Sequence, residues 1–115
     1  AQDDIEQALD LNEYLIRNEN ATFIVKANSL SMLDAGIDID DPLIVDRSIP
    51  AKSGDIVIAL IDNDFTVKRL MIDTQFQPPK VWLKAENPDY QNIYIEEGQE
   101  LVIWGVVTYN LKRMR

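Results

Sequence analysis

The sequence predicts a mostly β domain of twisted, barrel-like antiparallel sheets, with one short helix near its N-terminal end. Three observations carry that expectation. From residue 22 onward, segments rich in Val, Ile, Thr and aromatics alternate apolar and polar positions. Between them lie turn-forming clusters: DIDDP, KSGD, DND, FQPPK, ENPDY and EEGQ. No long helical repeat interrupts the series, as expected of sandwiches and barrels.

The first 20 residues are acidic and polar and read as an arm followed by a short helix, roughly 11–17, with the folded domain over 21–115. Asp10 and Glu13 have capping-box spacing, and Leu11, Tyr14 and Leu15 can share a helical face. The expected strands are 22–27 (TFIVKA), 42–47 (PLIVDR), 55–61 (DIVIALI), 65–70 (FTVKRL), 81–85 (VWLKA) and 100–111 (ELVIWGVVTYNL). IALIDNDFTV reads as a hairpin, because Asp and Asn tolerate left-handed turn conformations. The last strand is almost continuously apolar, so it is either buried on both faces or paired with a second subunit. Trp82, Trp104, Tyr94 and Tyr109 are expected as core or interface anchors.

With 115 residues and 46% hydrophobic content, the chain suits one domain with one core. Its net charge of -9 repels phosphate backbones, so direct DNA binding is not expected. The terminal LKRMR reads as a short exposed tail. No apolar run is long enough for a membrane span, and the start is not a signal peptide. There is no cysteine, which removes disulfides and thiol chemistry and is compatible with a cytosol. There is also no histidine, so no Ser-His-Asp device is available. A general base must then be a carboxylate, a tyrosine or a lysine. The acidic clusters Asp38–Pro42 and Asp62–Asp64 fail the EF-hand pattern and read as solvated turns, so no metal or other cofactor is expected.

Two residues stand out. Ser31, in SMLDAG, precedes a predicted one-turn helix. With Asp34 three places on and Gly36 at the end, it can be a helix cap. Spacing alone favours the cap; the other reading is a nucleophile beside backbone N–H groups able to hold an oxyanion. In FTVKRL, alternation puts Phe65, Val67 and Arg69 on one side and Thr66, Lys68 and Leu70 on the other. The two adjacent cations therefore point in opposite directions. Either this is an edge strand whose stems snorkel to water, or Lys68 is desolvated beside Ser31. Desolvation can lower a lysine pKa by about 3–5 units, giving a neutral amine able to take the serine proton.

The stretch VKANSLSMLDAGIDIDDPLIVDRSIPAKSGDIVIALIDNDFTVKRL resembles the LexA/UmuD family of self-cleaving Ser-Lys proteins. Ser31-Met32, Ala35-Gly36, Gly54-Asp55-Ile56-Val57 and Thr66-Val67-Lys68 stand in the family's order, and the 37-residue separation of Ser31 and Lys68 fits it. The DLN, AT, VKA and FTVK elements are closer to UmuD than to LexA. One departure is Ser29-Leu30, where many UmuD-like proteins carry Gly-Asp. The resemblance implies a LexA-like C-terminal peptidase domain with Ser31 as nucleophile and Lys68 as general base. It also implies an oxyanion hole from the backbone N–H groups of Leu30 and Ser31, with Thr66 supporting the amine. It further implies a bacterial cytoplasmic homodimer, self-cleavage stimulated by a RecA–single-stranded DNA filament, and service to an error-prone polymerase catalytic subunit. The alternative is the dimerisation and cleavage half of a LexA-like repressor. The family cuts an Ala-Gly or Cys-Gly bond upstream of the serine. The 30 residues before Ser31 hold none, and Ala35-Gly36 lies inside the motif, so the expectation is a cleavage product or trimmed piece.

Overall fold

Alternating segments with short turns fold by pairing with their neighbours, and all six predicted strands form. In the computed structural model, which describes residues 10–115, they join one seven-stranded antiparallel sheet. The strands are β1 (Thr22–Lys26), β2 (Pro42–Asp46), β3 (Ile56–Ile61), β4 (Asp64–Asp73), β5 (Lys80–Lys84), β6 (Ile93–Tyr94) and β7 (Leu101–Asn110). Their order across the sheet is β1-β2-β7-β3-β4-β5-β6. The helix α1 spans Leu11–Leu15 and stops short of residue 17. Asp10 caps it, its Oδ1 accepting the Asn12 N–H at 2.9 Å. The arm expected before residue 10 lies outside the described residues.

The β3–β4 hairpin turns through Asp62 (φ 47°) and Asn63 (φ 72°), the paired left-handed conformations a two-residue loop needs. β4 runs past residue 70 because its second half, Arg69 to Asp73, pairs with Lys84 to Lys80 of β5. β6 escaped the sequence reading; two residues are too short to display a period.

Alternation along β3 and β4 divides the apolar side chains into two clusters. Ile58 joins Ala27, Met32, Ile37, Leu43 and Val45, with Val67 packed against them. Val57 and Ala59 join Leu70, Leu83 and Val106. β7 lies between β2 and β3, its first half from Leu101 to Val106 pairing with β3 and its second half from Val106 to Asn110 with β2. β7 changes register against β3 between Gly105 and Ile103, and against β2 between Tyr109 and Val107. These bulges sharpen the bend that wraps the sheet. The aromatics lie outside the buried core: Trp104 packs half-buried on the first cluster, between Phe23 and Phe65, and Tyr94 and Tyr109 are exposed.

Two sequence expectations are corrected here. DIDDP is not wholly a solvated turn, and LKRMR is not wholly a free tail. Asp41 is buried and accepts hydrogen bonds from Lys112 Nζ (2.7 Å), Asn110 Nδ2 (2.9 Å) and the Asp38 N–H (2.8 Å). Local spacing cannot reveal this, since the partners lie about 70 residues apart in the chain. The Lys112 and Asn110 hydrogen bonds hold the Asp41 pKa down at about 2.

Two outcomes follow. At Gly105 an added Cβ would meet Val45 Cγ1 at 2.5 Å, so Gly105→Ala lowers unfolding stability by about 1–3 kcal/mol in denaturant titration. Asp41, with its depressed pKa, stabilises the fold above the ordinary carboxylate range and loses that effect as pH falls through about 2. Asp41→Asn therefore lowers the melting temperature at pH 7, and the gap from the parent closes toward pH 2.

Candidate active site

Ser31 sits in the segment joining β1 to β2, which is pinned at its base. The Ala27 N–H donates to the Asp41 carbonyl at 3.0 Å, and the Asp40 N–H to the Ala27 carbonyl at 2.8 Å. Inside this loop, Met32 is buried in the first cluster and anchors the turn next to Ser31. A single 3-10 turn, Leu33–Ala35, follows, and Gly36 ends it at φ 86°.

The turn is also stitched to the segment after β5. The Glu86 N–H donates to the Ser31 carbonyl and the Asp34 N–H to the Glu86 carbonyl, both at 2.8 Å. Asn87 Nδ2 donates to the Leu30 carbonyl at 2.8 Å. Glu86 is itself held by Arg69, whose Nε lies 2.7 Å from Oε1. That bond is the largest cause of the lowered Glu86 pKa. The sequence reading missed Glu86 and Asn87, which looked like ordinary members of a turn cluster. No local pattern marks a loop residue whose partner is another loop.

The expected capping role of Ser31 is not found. Met32 occupies the cap position, and no side chain caps the turn. Nor does the turn aim free donors at Ser31, since the Leu33, Asp34 and Ala35 N–H groups are satisfied by Leu30, Glu86 and Met32 carbonyls. The Ser31 N–H is bonded to Ser29 Oγ at 3.2 Å. The Leu30 N–H has no partner among the described residues.

The Ser31 hydroxyl meets Lys68. At Lys68, β4 pairs with β3 alone, its ladder with β5 starting at Arg69, and the strand sends the two cations different ways. Arg69 turns to Glu86 and to the Gly54 carbonyl (2.5 Å). Lys68 is buried, only 6% exposed, and Ser31 is 1% exposed. Lys68 Nζ lies 2.9 Å from Ser31 Oγ, 2.7 Å from Thr66 Oγ1 and 3.2 Å from the Val67 carbonyl. All three partners are neutral oxygens. Loss of water without a compensating charge disfavours the ammonium, and burial pushes the Lys68 pKa below its ordinary value. A neutral amine has two N–H donors and one lone pair. With Thr66 and Val67 accepting the donors, the lone pair is left for the Ser31 proton. An apolar cleft of about 280 Å³, bounded by Val25, Ile58, Phe65, Thr66 and Trp104, reaches the site at Thr66 and does not include Ser31 or Lys68 in its lining.

Comparison with known proteins matches residues 1–108 to the peptidase S24-like family. The chain is 43% identical over 106 residues to protein MucA of Escherichia coli, covering 91% of this chain and 69% of MucA. It is 42% identical over 115 residues to protein ImpA of Shigella flexneri, covering all of this chain and 75% of ImpA. Identity to the LexA repressor of Paraburkholderia xenovorans is 45% over 85 residues, covering 73% of this chain and 38% of the repressor.

Burial of Lys68 has a measurable consequence for stability. Its pKa is lower folded than unfolded, so between the two values the unfolded chain binds more protons and stability rises with pH. Below that window the buried ammonium is a net cost. Lys68→Met therefore raises the melting temperature by a few degrees at pH 7. The gain shrinks as pH approaches the ordinary lysine value of about 10.4.

Proposed function

Because this chain belongs to the peptidase S24-like family, that of LexA and UmuD, we propose that Ser31 and Lys68 form a dyad that hydrolyses a peptide bond of the protein's own chain. The observation that carries this reading is the 2.9 Å contact between a buried amine and a buried hydroxyl in a chain without histidine. Neutral Lys68 Nζ takes the proton as Ser31 Oγ attacks the scissile carbonyl carbon. The oxyanion is received by the N–H groups of Leu30 and Ser31. Collapse breaks the C–N bond, and the leaving amine takes the proton from Lys68. Water, deprotonated by Lys68 in turn, then attacks the acyl ester; the C–Oγ bond breaks and Ser31 Oγ takes the proton back from Lys68. Thr66 holds the amine in place through its 2.7 Å contact.

In the cell, this chemistry serves the bacterial DNA-damage response. The UmuD-like elements support a cytoplasmic, homodimeric accessory subunit of an error-prone translesion polymerase, with a RecA–single-stranded DNA filament favouring the cleavage-competent conformer. The second reading is the cleavage half of a LexA-like repressor, favoured by the match to a LexA repressor. The accessory reading is preferred because MucA and ImpA match 91% and 100% of this chain, and that repressor 73%. Pull-down of the polymerase catalytic subunit by this chain supports it, and failure to bind that subunit under damage-induced conditions removes it.

The dyad is tested by fusing the chain to an N-terminal segment carrying an Ala-Gly bond. Ser31→Ala is expected to abolish self-cleavage, and Lys68→Ala to slow it by about 10²–10⁴-fold. The parental rate rises with pH as Lys68 loses its proton, with a midpoint below the ordinary lysine value. Undiminished cleavage in Lys68→Ala, or a flat alkaline profile, refutes lysine as the base.

A further inference from the structure

Ser29 has a relation to Ser31 that the proposed reaction does not use. Its Oγ lies 3.0 Å from Ser31 Oγ and accepts the Ser31 N–H at 3.2 Å. An oxygen meeting both atoms stands where a scissile carbonyl oxygen has to stand. That oxygen must accept the nucleophile's own N–H while its carbon comes within reach of Oγ. We propose that the Ser29 hydroxyl is a built-in plug of the oxyanion hole, occupying the carbonyl-oxygen position until a scissile peptide displaces it.

The plug acts twice. By accepting the Ser31 N–H, it fills one of the two proposed oxyanion donors. By donating its own proton to Ser31 Oγ, it also ties up a lone pair of the attacking oxygen. Ser29 is half-buried in the loop, whereas Ser31 is buried. It can therefore leave by rotating about its own Cα–Cβ bond, without moving the Met32 anchor. An entering carbonyl trades one hydrogen bond for another at the Ser31 N–H, so the plug costs the reaction one modest competition rather than a rearrangement. Ser29 thus slows attack on poorly seated bonds, while a well-seated peptide still displaces it.

This inference rests on the Ser-Lys reading, and the experiment separates the two. The chain is treated with an alkyl fluorophosphonate, whose phosphoryl oxygen enters the same hole. A bond forms from Ser31 Oγ to phosphorus, the P–F bond breaks, fluoride leaves and Lys68 takes the proton. Labelling is followed by intact mass across alkaline pH. Ser29→Ala is expected to label about three- to tenfold faster than the parent, with the same pH midpoint. Ser29→Gly, which removes the same oxygen, gives the same gain, and Ser29→Thr, which keeps it, gives none. A merely structural role for Ser29 predicts slower labelling in the first two variants. If labelling needs Ser31 and Lys68 but Ser29→Ala is no faster, the plug is wrong and the dyad stands. If the parent is not labelled, or is labelled equally in Ser31→Ala and Lys68→Ala, both fall.

Discussion

One desolvated amine organises this molecule. Lys68 Nζ has exchanged water for the oxygens of Ser31, Thr66 and Val67, and that exchange constrains the structure around it. A buried lysine is tolerated only where every donor finds an acceptor and where the strand bearing it cannot move. β4 meets the second condition by pairing with β3 from Asp64 to Arg69 and with β5 from Arg69 to Asp73, so Lys68 stands one residue before the two ladders meet. The first condition is met partly by β4 itself, through Thr66 two residues earlier on the same side of the strand. The Val67 carbonyl takes the other donor, and Ser31, from a loop 37 residues away in sequence, faces the remaining lone pair. The loop must therefore be as fixed as the strand.

That rigidity comes from the backbone more than from the serine. Met32 anchors the turn in the first apolar cluster, and two backbone hydrogen bonds fasten Ser31 and Asp34 to Glu86. Glu86 is in turn tied to Arg69, the immediate neighbour of Lys68. Adjacent residues on β4 thus hold the same loop by two routes. Lys68 binds the hydroxyl directly, and Arg69 acts through the carboxylate of Glu86. Alternation along a strand makes this division possible, because neighbouring side chains leave opposite faces.

Much of this was legible in the sequence, and the failures have a common cause. The period-two segments and turn residues located six strands and the Asp62-Asn63 hairpin turn, since strand alternation and left-handed turns are local properties. The opposed directions of Lys68 and Arg69 were legible for the same reason. Their environments were not: burial of Lys68 depends on the loop carrying Ser31 packing over its face of β4, and periodicity does not reveal that packing. Ser31 as a helix cap was a sound local inference, but the turn is only three residues long and starts one place later. Asp41 with Lys112, and Glu86 with Arg69, join segments far apart in the chain. A cluster such as DIDDP therefore looks solvated until the fold brings its partner.

The acidity of the chain sharpens the problem that the site solves. With a net charge of -9, the surrounding carboxylates favour a protonated lysine, which is useless as a base. Yet burial alone accounts for the direction of the Lys68 shift, and no carboxylate is among its hydrogen-bond partners. Glu86, the carboxylate built into the loop that carries Ser31, is countered by Arg69 at 2.7 Å and Lys84 at 3.6 Å. Its charge is thereby spent on cations that face away from the amine. The direction of the Lys68 shift thus comes from the dry pocket itself, while Arg69, next to it on the same strand, pairs the loop's carboxylate from the opposite face.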